Sequence, residues 1–286
     1  MHLEKYQNRS YERNANCIFV NSYDGNFLTM SGQIPLLKKI SAHVMCIELR
    51  RPDSANRLEL EDLIEIQSLV RRCESNIEIR VLIFTSQGKY FSAGLDFGVL
   101  KNLKNKQTIG AGSGSELERT ANLIANTKLI TIASIQGPIF GGATDIALAC
   151  DLRIGNHDTF LQMPAAKIGL PLYASAIERY VSNFGLSQAK RLILTCVSVP
   201  AEELLQIGFL TELVAKDNLE EKTFQIAQMV SEFPFEPVSA MKKFLNSTAS
   251  IDKSDWERSK QELLNSFDIV KISERIDIKH QKYLIS

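Results

Sequence analysis

Cysteine and histidine are scarce in this chain, and neither residue type is clustered. The cysteines are odd in number, far apart and without a Cys-x-x-Cys pair, which argues against a disulfide framework or a zinc site. The histidines lie outside the motifs described below, so we expect no catalytic histidine and no metal. The five cysteines are Cys17, Cys46, Cys73, Cys150 and Cys196, and the four histidines are His2, His43, His157 and His280.

The sequence also lacks an excess of charge and a long apolar run. Lys+Arg and Asp+Glu both number 33, so no overall field attracts nucleic acid or a membrane. No apolar stretch approaches the ~20 residues that cross a bilayer, and the first residues do not form a signal peptide. We therefore expect a cytoplasmic protein, and its 44% hydrophobic residues suffice for a globular core.

Residues 129–151 contain the most informative stretch, which is typical of a buried strand, a glycine turn and a helix. Residues 129–135 are apolar and rich in β-branched side chains, as in a strand covered on both faces. Gly141 and Gly142 follow where a helix should begin, and the unpaired N–H groups of a helix start attract negative charge. Close packing of strand and helix is the alternative explanation for the glycines.

A second strand followed by a glycine turn occupies residues 81–98. Residues 81–85 predict a buried strand, and Ala93, Gly94, Leu95 and Asp96 follow its turn. If the two strands are neighbours in one sheet, N–H groups from both turns can point at a single oxygen atom. The alternative is two ordinary strand ends.

Together, the motifs at 89–96 and 136–154 resemble the crotonase superfamily of enoyl-CoA hydratases and isomerases. The resemblance covers roughly residues 40–245. It implies an α/β fold, a crotonase-like spiral of ββα units, with residues 1–32 as an N-terminal extension, 33–215 as the core and 216–286 as a helical C-terminal segment. It further implies a homotrimer or dimer of trimers, an acyl-CoA thioester as substrate, and no cofactor beyond the coenzyme A of that substrate.

Local patterns predict several further elements. Residues 34–40 and 44–49 predict a hairpin, and residues 58–72 predict a core-facing helix. Ser115 predicts the N-cap of a helix that runs towards Asn126, after a glycine-rich loop at 107–115. Other predicted elements are helices at 187–195 and 201–208, a strand at 210–214, and helical structure from 219 onward with a break at 233–237.

The resemblance implies which groups carry out the chemistry. It places the two oxyanion-hole donors at the N–H groups of Leu95 and Gly142, and one carboxylate of the acid–base pair at Asp145. The second carboxylate of a hydratase falls at Ala165, which argues against ordinary hydration. Tyr173 lies where some relatives hold another aspartate, and it is either catalytic or a wall of the acyl pocket. Lys167 and Glu178 are more simply explained as surface charges.

Residues 160–245 also resemble methylmalonyl-CoA decarboxylase, although Leu95 and Leu172 replace residues typical of that enzyme. For the CoA portion, the resemblance implies contacts from the turn around Ala93 and Asp96 and from basic residues. The candidate basic residues are Lys89, Arg57 and Lys101, with Lys279 or Lys282 from the C-terminal segment. Each of these is also explained as an ordinary surface charge.

We therefore expect an enzyme that stabilises a thioester enolate, with isomerase-like proton transfer at Asp145. Decarboxylation, thioester hydrolysis and weak hydration are the enzymatic alternatives. A protein that binds CoA or serves as a scaffold without catalysis is the alternative from another class. The orientation of Asp145 distinguishes an enzyme from a binding or scaffolding protein: its side chain either faces the acyl carbon or is tied into a structural pair.

Overall fold

The computed structural model describes residues 33–96 and 115–248. Several sequence-based predictions lie outside these residues: the extension at 1–32, the loop at 107–114, the stretch at 256–283, and Lys101, Lys279 and Lys282. Within the described residues, no helix is long and apolar enough to cross a membrane.

A six-stranded sheet forms the centre of the fold, with strand order β1-β2-β3-β4-β6-β9. The first two strands are antiparallel, and every later neighbour is parallel. The strands are β1 Leu36–Lys39, β2 Val44–Leu49, β3 Val81–Ser86, β4 Ile130–Ile135, β6 Leu152–Asn156 and β9 Glu212–Val214. The predicted hairpin and the strands predicted at 81–85, 129–135 and 210–214 are thus confirmed, with small shifts at their ends.

A second sheet of three strands has the order β5-β7-β8. Its strands are β5 Ile139–Phe140, β7 Phe160–Gln162 and β8 Ser198–Pro200. Each of β4 and β6 is followed by a short strand of this second sheet and then by a helix. This alternation is the ββα rhythm predicted from the sequence. The short strands themselves were not predicted, because two or three residues are too few to show a period.

Helices cover both faces of the large sheet. They are α1 Leu60–Ser75, α2 Glu116–Asn126, α3 Gly142–Leu148, α4 Ala165–Ile168, α5 Ala174–Thr195, α6 Ala201–Gln206, α7 Leu219–Ser231 and α8 Phe235–Thr248. In β3, Leu82 and Phe84 join one core cluster, and Val81 and Ile83 join the other. A strand that alternates between two cores is apolar at every position, which explains its continuous hydrophobic run.

Two helix predictions need correction. The helix predicted at 187–195 is the second half of α5, which starts at Ala174 and is interrupted by the non-helical backbone of Gly185. The break predicted at 233–237 is shorter than expected, because α8 already begins at Phe235. The Ser115 cap is confirmed: its hydroxyl accepts a hydrogen bond from the Glu118 N–H at 3.1 Å.

Candidate active site

The two predicted glycine turns meet at Gly94. This residue has a φ of +82°, a conformation that side chains disfavour. A β-carbon at Gly94 would lie 2.5 Å from the Phe140 carbonyl oxygen and 3.1 Å from the Gly142 nitrogen. Only glycine therefore allows the chain after β3 to lie directly against the chain after β5.

The hydrogen bonds around Leu95 leave its N–H unused. The Leu58 N–H donates to the Gly94 carbonyl at 2.8 Å, and the Asp96 N–H donates to the Leu58 carbonyl at 2.9 Å. In such a parallel bridge, the residue between the two bonded positions directs its own N–H to the opposite side. The Leu95 N–H thus points away from Leu58.

Gly142 is the first residue of α3, and its N–H belongs to the group that a helix start leaves without an intrahelical acceptor. The preceding residue, Gly141, has a φ of +51° and donates its own N–H to the Gln162 carbonyl at 3.0 Å. Within residues 33–96 and 115–248, neither the Leu95 nor the Gly142 N–H donates to a protein acceptor. The structure therefore brings together the two donors that the sequence predicted.

Asp145 lies in the first turn of α3, three residues after Gly142, and is only 1% exposed. Its carboxylate forms a two-pronged ion pair with Arg179, in which Nε donates to Oδ1 and Nη2 donates to Oδ2, both at 2.7 Å. The Tyr173 hydroxyl also donates to Oδ2. Asp145 is thus part of an ordered pair, which is the second of the two arrangements that the sequence left open.

This pairing restricts Asp145 without using all its acceptor positions. A carboxylate has about four lone-pair sites. The three bonds found in the described part of the chain use two sites of Oδ2 and one of Oδ1. One lone pair of Oδ1 therefore has no donor among the described residues.

Burial and charge fix the protonation of the groups around Asp145. Burial, followed by the negative charge of Asp145, raises the pKa of Tyr173 well above its ordinary value, although Arg179 opposes this shift. Burial alone would lower the pKa of Arg179, but the charge and the hydrogen bonds of Asp145 outweigh it and raise that pKa. Tyr173 is therefore a neutral donor, and Arg179 is a permanent cation.

Comparison with known sequences agrees with this geometry. The sequence model of the enoyl-CoA hydratase/isomerase family matches residues 39–274, which span most of the chain and all of the site just described. The chain belongs to the enoyl-CoA hydratase/isomerase family. The members of this family that it resembles include enzymes named as hydratases and isomerases.

One similar member of the family is YngF of Bacillus subtilis (strain 168), which carries the name enoyl-CoA hydratase/isomerase. It is 34% identical to this chain over 190 residues, which are 66% of this chain and 72% of YngF. This level of identity and coverage extends the likeness beyond the glycine turns to most of the core.

Solved structures of the enoyl-CoA hydratase/isomerase family confirm the crotonase-like fold. The enoyl-CoA hydratase of Bacillus anthracis has 26% identity and a TM-score of 0.72, over 82% of this chain and 90% of that chain. Methylmalonyl-CoA decarboxylase, solved with 2-nitronate-propionyl-CoA, has 22% identity and a TM-score of 0.78, over 87% of this chain and 96% of that chain. The second likeness concerns the fold alone.

Ala165 is the position at which the resemblance places the second carboxylate of a hydratase. Ala165 begins α4 and is 5% exposed, so its methyl group is part of the core. Lys167 on the same helix is exposed, and Glu178 is half-buried on α5. No acid therefore replaces the missing one on α4.

The residues proposed for the CoA portion surround the turn after β3. Lys89 is exposed, with its ammonium nitrogen 5.8 Å from the centre of the Tyr90 ring. The Arg57 Nε lies 2.7 Å from an Asp96 oxygen, and the same guanidinium also binds Glu59. A phosphate group would compete with two carboxylates for Arg57, whereas Lys89 is accessible. Ala93 is exposed in the same turn.

Sequence reasoning singled out Tyr173 but missed Arg179, the other partner of Asp145. Arg179 lies on the half of α5 that was not predicted, and its Nη1 also donates to the Asn122 side chain on α2 at 2.8 Å. Glu118, on the same face of α2, accepts a hydrogen bond from the Ser175 hydroxyl at 3.0 Å. The periodicity of α2 could have placed Glu118 and Asn122 on one face, but nothing local indicated that α5 lies against it.

Among the residues that the structure describes, no group of three His, Cys, Asp or Glu side chains is placed to hold a metal ion. The cysteines in this part of the chain, Cys46, Cys73, Cys150 and Cys196, are all buried and free.

Proposed function

We propose that this chain binds an acyl-CoA thioester and stabilises its enolate, and that Asp145 transfers the proton as in an isomerase. The observation that carries the proposal is the meeting of two unused amides, those of Leu95 and Gly142, beside a buried carboxylate. A thioester oxygen becomes strongly negative when the α-carbon loses a proton. Each correctly aimed N–H group lowers that barrier by about 3–4 kcal/mol.

Asp145 would remove the α-proton with the free lone pair of Oδ1. Arg179 and Tyr173 hold the carboxylate in one orientation, so the base does not have to be ordered when substrate binds. The same carboxylate can return the proton at another carbon, which moves a double bond. Hydration needs a second acid to deliver a proton while water adds, and Ala165 does not supply one.

The test measures exchange of the α-protons of butanoyl-CoA in deuterium oxide by mass spectrometry. We expect exchange by the parent protein, and a decrease of about 10²–10⁴ in the Asp145→Asn variant, because the amide keeps the size but cannot accept the proton. Calorimetry with acetyl-CoA should give nearly unchanged affinity. Asp158→Asn is the matched control, since Asp158 is exposed and pairs with Lys216 at 2.7 Å.

Three results would contradict the proposal. The first is an Asp145→Asn protein that exchanges at the parent rate. The second is an acetyl-CoA complex whose thioester oxygen lies beyond hydrogen-bond reach of the Leu95 and Gly142 amides. The third is a parent protein that binds CoA thioesters without exchange; this would favour the binding or scaffolding role, which the pairing of Asp145 with Arg179 also favours.

We also propose a homotrimer or a dimer of trimers that needs no cofactor beyond the CoA of its substrate. This proposal is supported by the family to which the chain belongs. Light scattering at micromolar concentration should give at least three times the chain mass of 32.1 kDa. A monomeric mass would refute the oligomer.

A further inference from the structure

Glu118 lies at the edge of the candidate oxyanion hole. It is the third residue of α2 and is only 9% exposed. The preceding residue, Leu117, covers Gly142: a β-carbon at Gly142 would lie 2.5 Å from Leu117 Cδ2. The first turn of α2 therefore packs directly on the residue that supplies one of the two amides, and Glu118 is within that turn.

The carboxylate of Glu118 contacts the first turn of α5, the helix that carries Arg179. It accepts a hydrogen bond from the hydroxyl of Ser175 at 3.0 Å, and Ser175 follows Tyr173 by two residues. The charge of Glu118 also contributes to raising the pKa of Tyr173, after the larger effects of burial and Asp145. Glu118 is thus electrostatically coupled to the tyrosine that binds Asp145.

Helix geometry relates Glu118 to the ion pair between Asp145 and Arg179. Glu118 and Asn122 are four residues apart on α2, and their partners Ser175 and Arg179 are four residues apart on α5. Residues at this spacing lie about 5–6 Å apart on a helix surface. Arg179 therefore links Asn122 to Asp145, and Glu118 lies one helical turn from Asn122 on the same face of α2.

Burial of an ionisable carboxyl group is costly, and a buried acid beside a reactive centre is a candidate for proton transfer. We propose that Glu118 is the second proton-transfer residue, supplied by α2 instead of the turn at Ala165. This inference rests on the proposed enolate chemistry. In this proposal, Glu118 transfers a proton at the acyl carbon that Asp145 does not reach.

The reaction with a 3-enoyl thioester would proceed in two steps. Asp145 takes a proton from the α-carbon, and the electron pair of that C–H bond is delocalised onto the thioester oxygen as a dienolate. Glu118, after taking a proton from water, then gives that proton to the γ-carbon, where a C–H bond forms as the double bond moves between the α- and β-carbons. Asp145 ends protonated and Glu118 ionised, and proton exchange with water restores both groups.

The experiment compares two activities of the Glu118→Gln variant. Exchange of the α-protons of butanoyl-CoA needs only Asp145, so we expect it to stay within about threefold of the parent. Isomerisation of trans-3-hexenoyl-CoA needs both groups and should fall by about 10²-fold or more. Glu118→Asp keeps an acid and should isomerise faster than Glu118→Gln.

Glu116→Gln is the matched control on the same helix. Glu116 accepts from the Gln67 side chain at 2.8 Å and pairs with Arg119, so both activities should be unchanged. Circular dichroism of each variant checks that the fold is retained.

The possible failures can be distinguished. A parent protein without α-proton exchange overturns the proposed function, and this inference with it. A parent that exchanges, together with a Glu118→Gln variant that isomerises at the parent rate, overturns the role of Glu118 alone. Equal loss of exchange and isomerisation in Glu118→Gln, or equal inactivity of the Asp and Gln variants, would show a structural role and also overturn it.

Discussion

The ion pair between Arg179 and Asp145 should dominate the stability of the site, and the variant Arg179→Met tests this. The side chains of Arg179 and Asp145 are 13% and 2% exposed. Methionine fills much of the same volume but leaves the Asp145 carboxylate buried with only the Tyr173 hydroxyl among its present donors. Removal of one partner from a buried ion pair costs about 3–5 kcal/mol.

The chain offers a matched control on the same helix. Arg191 pairs with Glu203, and these side chains are 37% and 32% exposed. Because solvent screens such a pair, Arg191→Met should cost about 0–1 kcal/mol. The two variants thus make the same substitution on α5 and differ mainly in the burial of the pair.

Urea unfolding, followed by circular dichroism at a fixed protein concentration, measures the free energy of unfolding of both variants. Adding Asp145→Asn to Arg179→Met should restore at least about 1 kcal/mol, because the double variant no longer buries an unpaired charge. If Arg179→Met costs no more than Arg191→Met, or if the second substitution restores nothing, the pair does not stabilise the site as argued here.

Four further predictions concern Gly94, a buried lysine and two buried thiols. Gly94→Ala should reduce α-proton exchange about 10²–10³-fold, because the added β-carbon would lie 2.5 Å from a main-chain oxygen. Gly185→Ala is the control: Gly185 also has a positive φ, but an added β-carbon would meet nothing within 4 Å, so this variant should retain activity. Lys242→Met should lower the free energy of unfolding, measured in urea, by about 2–3 kcal/mol because it removes a buried charged hydrogen bond; a change below 1 kcal/mol would contradict this. Burial raises the pKa values of Cys46 and Cys150 to about 12, so mass spectrometry should find neither thiol alkylated by iodoacetamide at pH 8.5 unless urea is present. For the same reason the free energy of unfolding should fall as the pH rises from about 9 towards 12, because the unfolded thiols lose their protons first; a constant value over this range would contradict the burial effect.

The sequence determined the central strands and the glycine turns of this protein. Strands β3 and β4 are apolar at successive positions because both of their faces are buried, and such a run is visible without any knowledge of the fold. The positions of Gly94 and Gly142 are likewise local, since a turn or a helix start has its own residue preferences. The two turns were therefore visible in the sequence, whereas the family resemblance assigned the two amides to Leu95 and Gly142.

The surroundings of Asp145 depended on tertiary structure. Arg179 is 34 residues away along the chain, on the half of α5 that was not predicted, and Glu118 comes from a third helix. Sequence analysis identified the carboxylate, the missing acid at Ala165 and Tyr173, but could not say what Asp145 binds. Periodicity shows which face of a helix is buried, whereas the packing of α2, α3 and α5 decides which charges meet there.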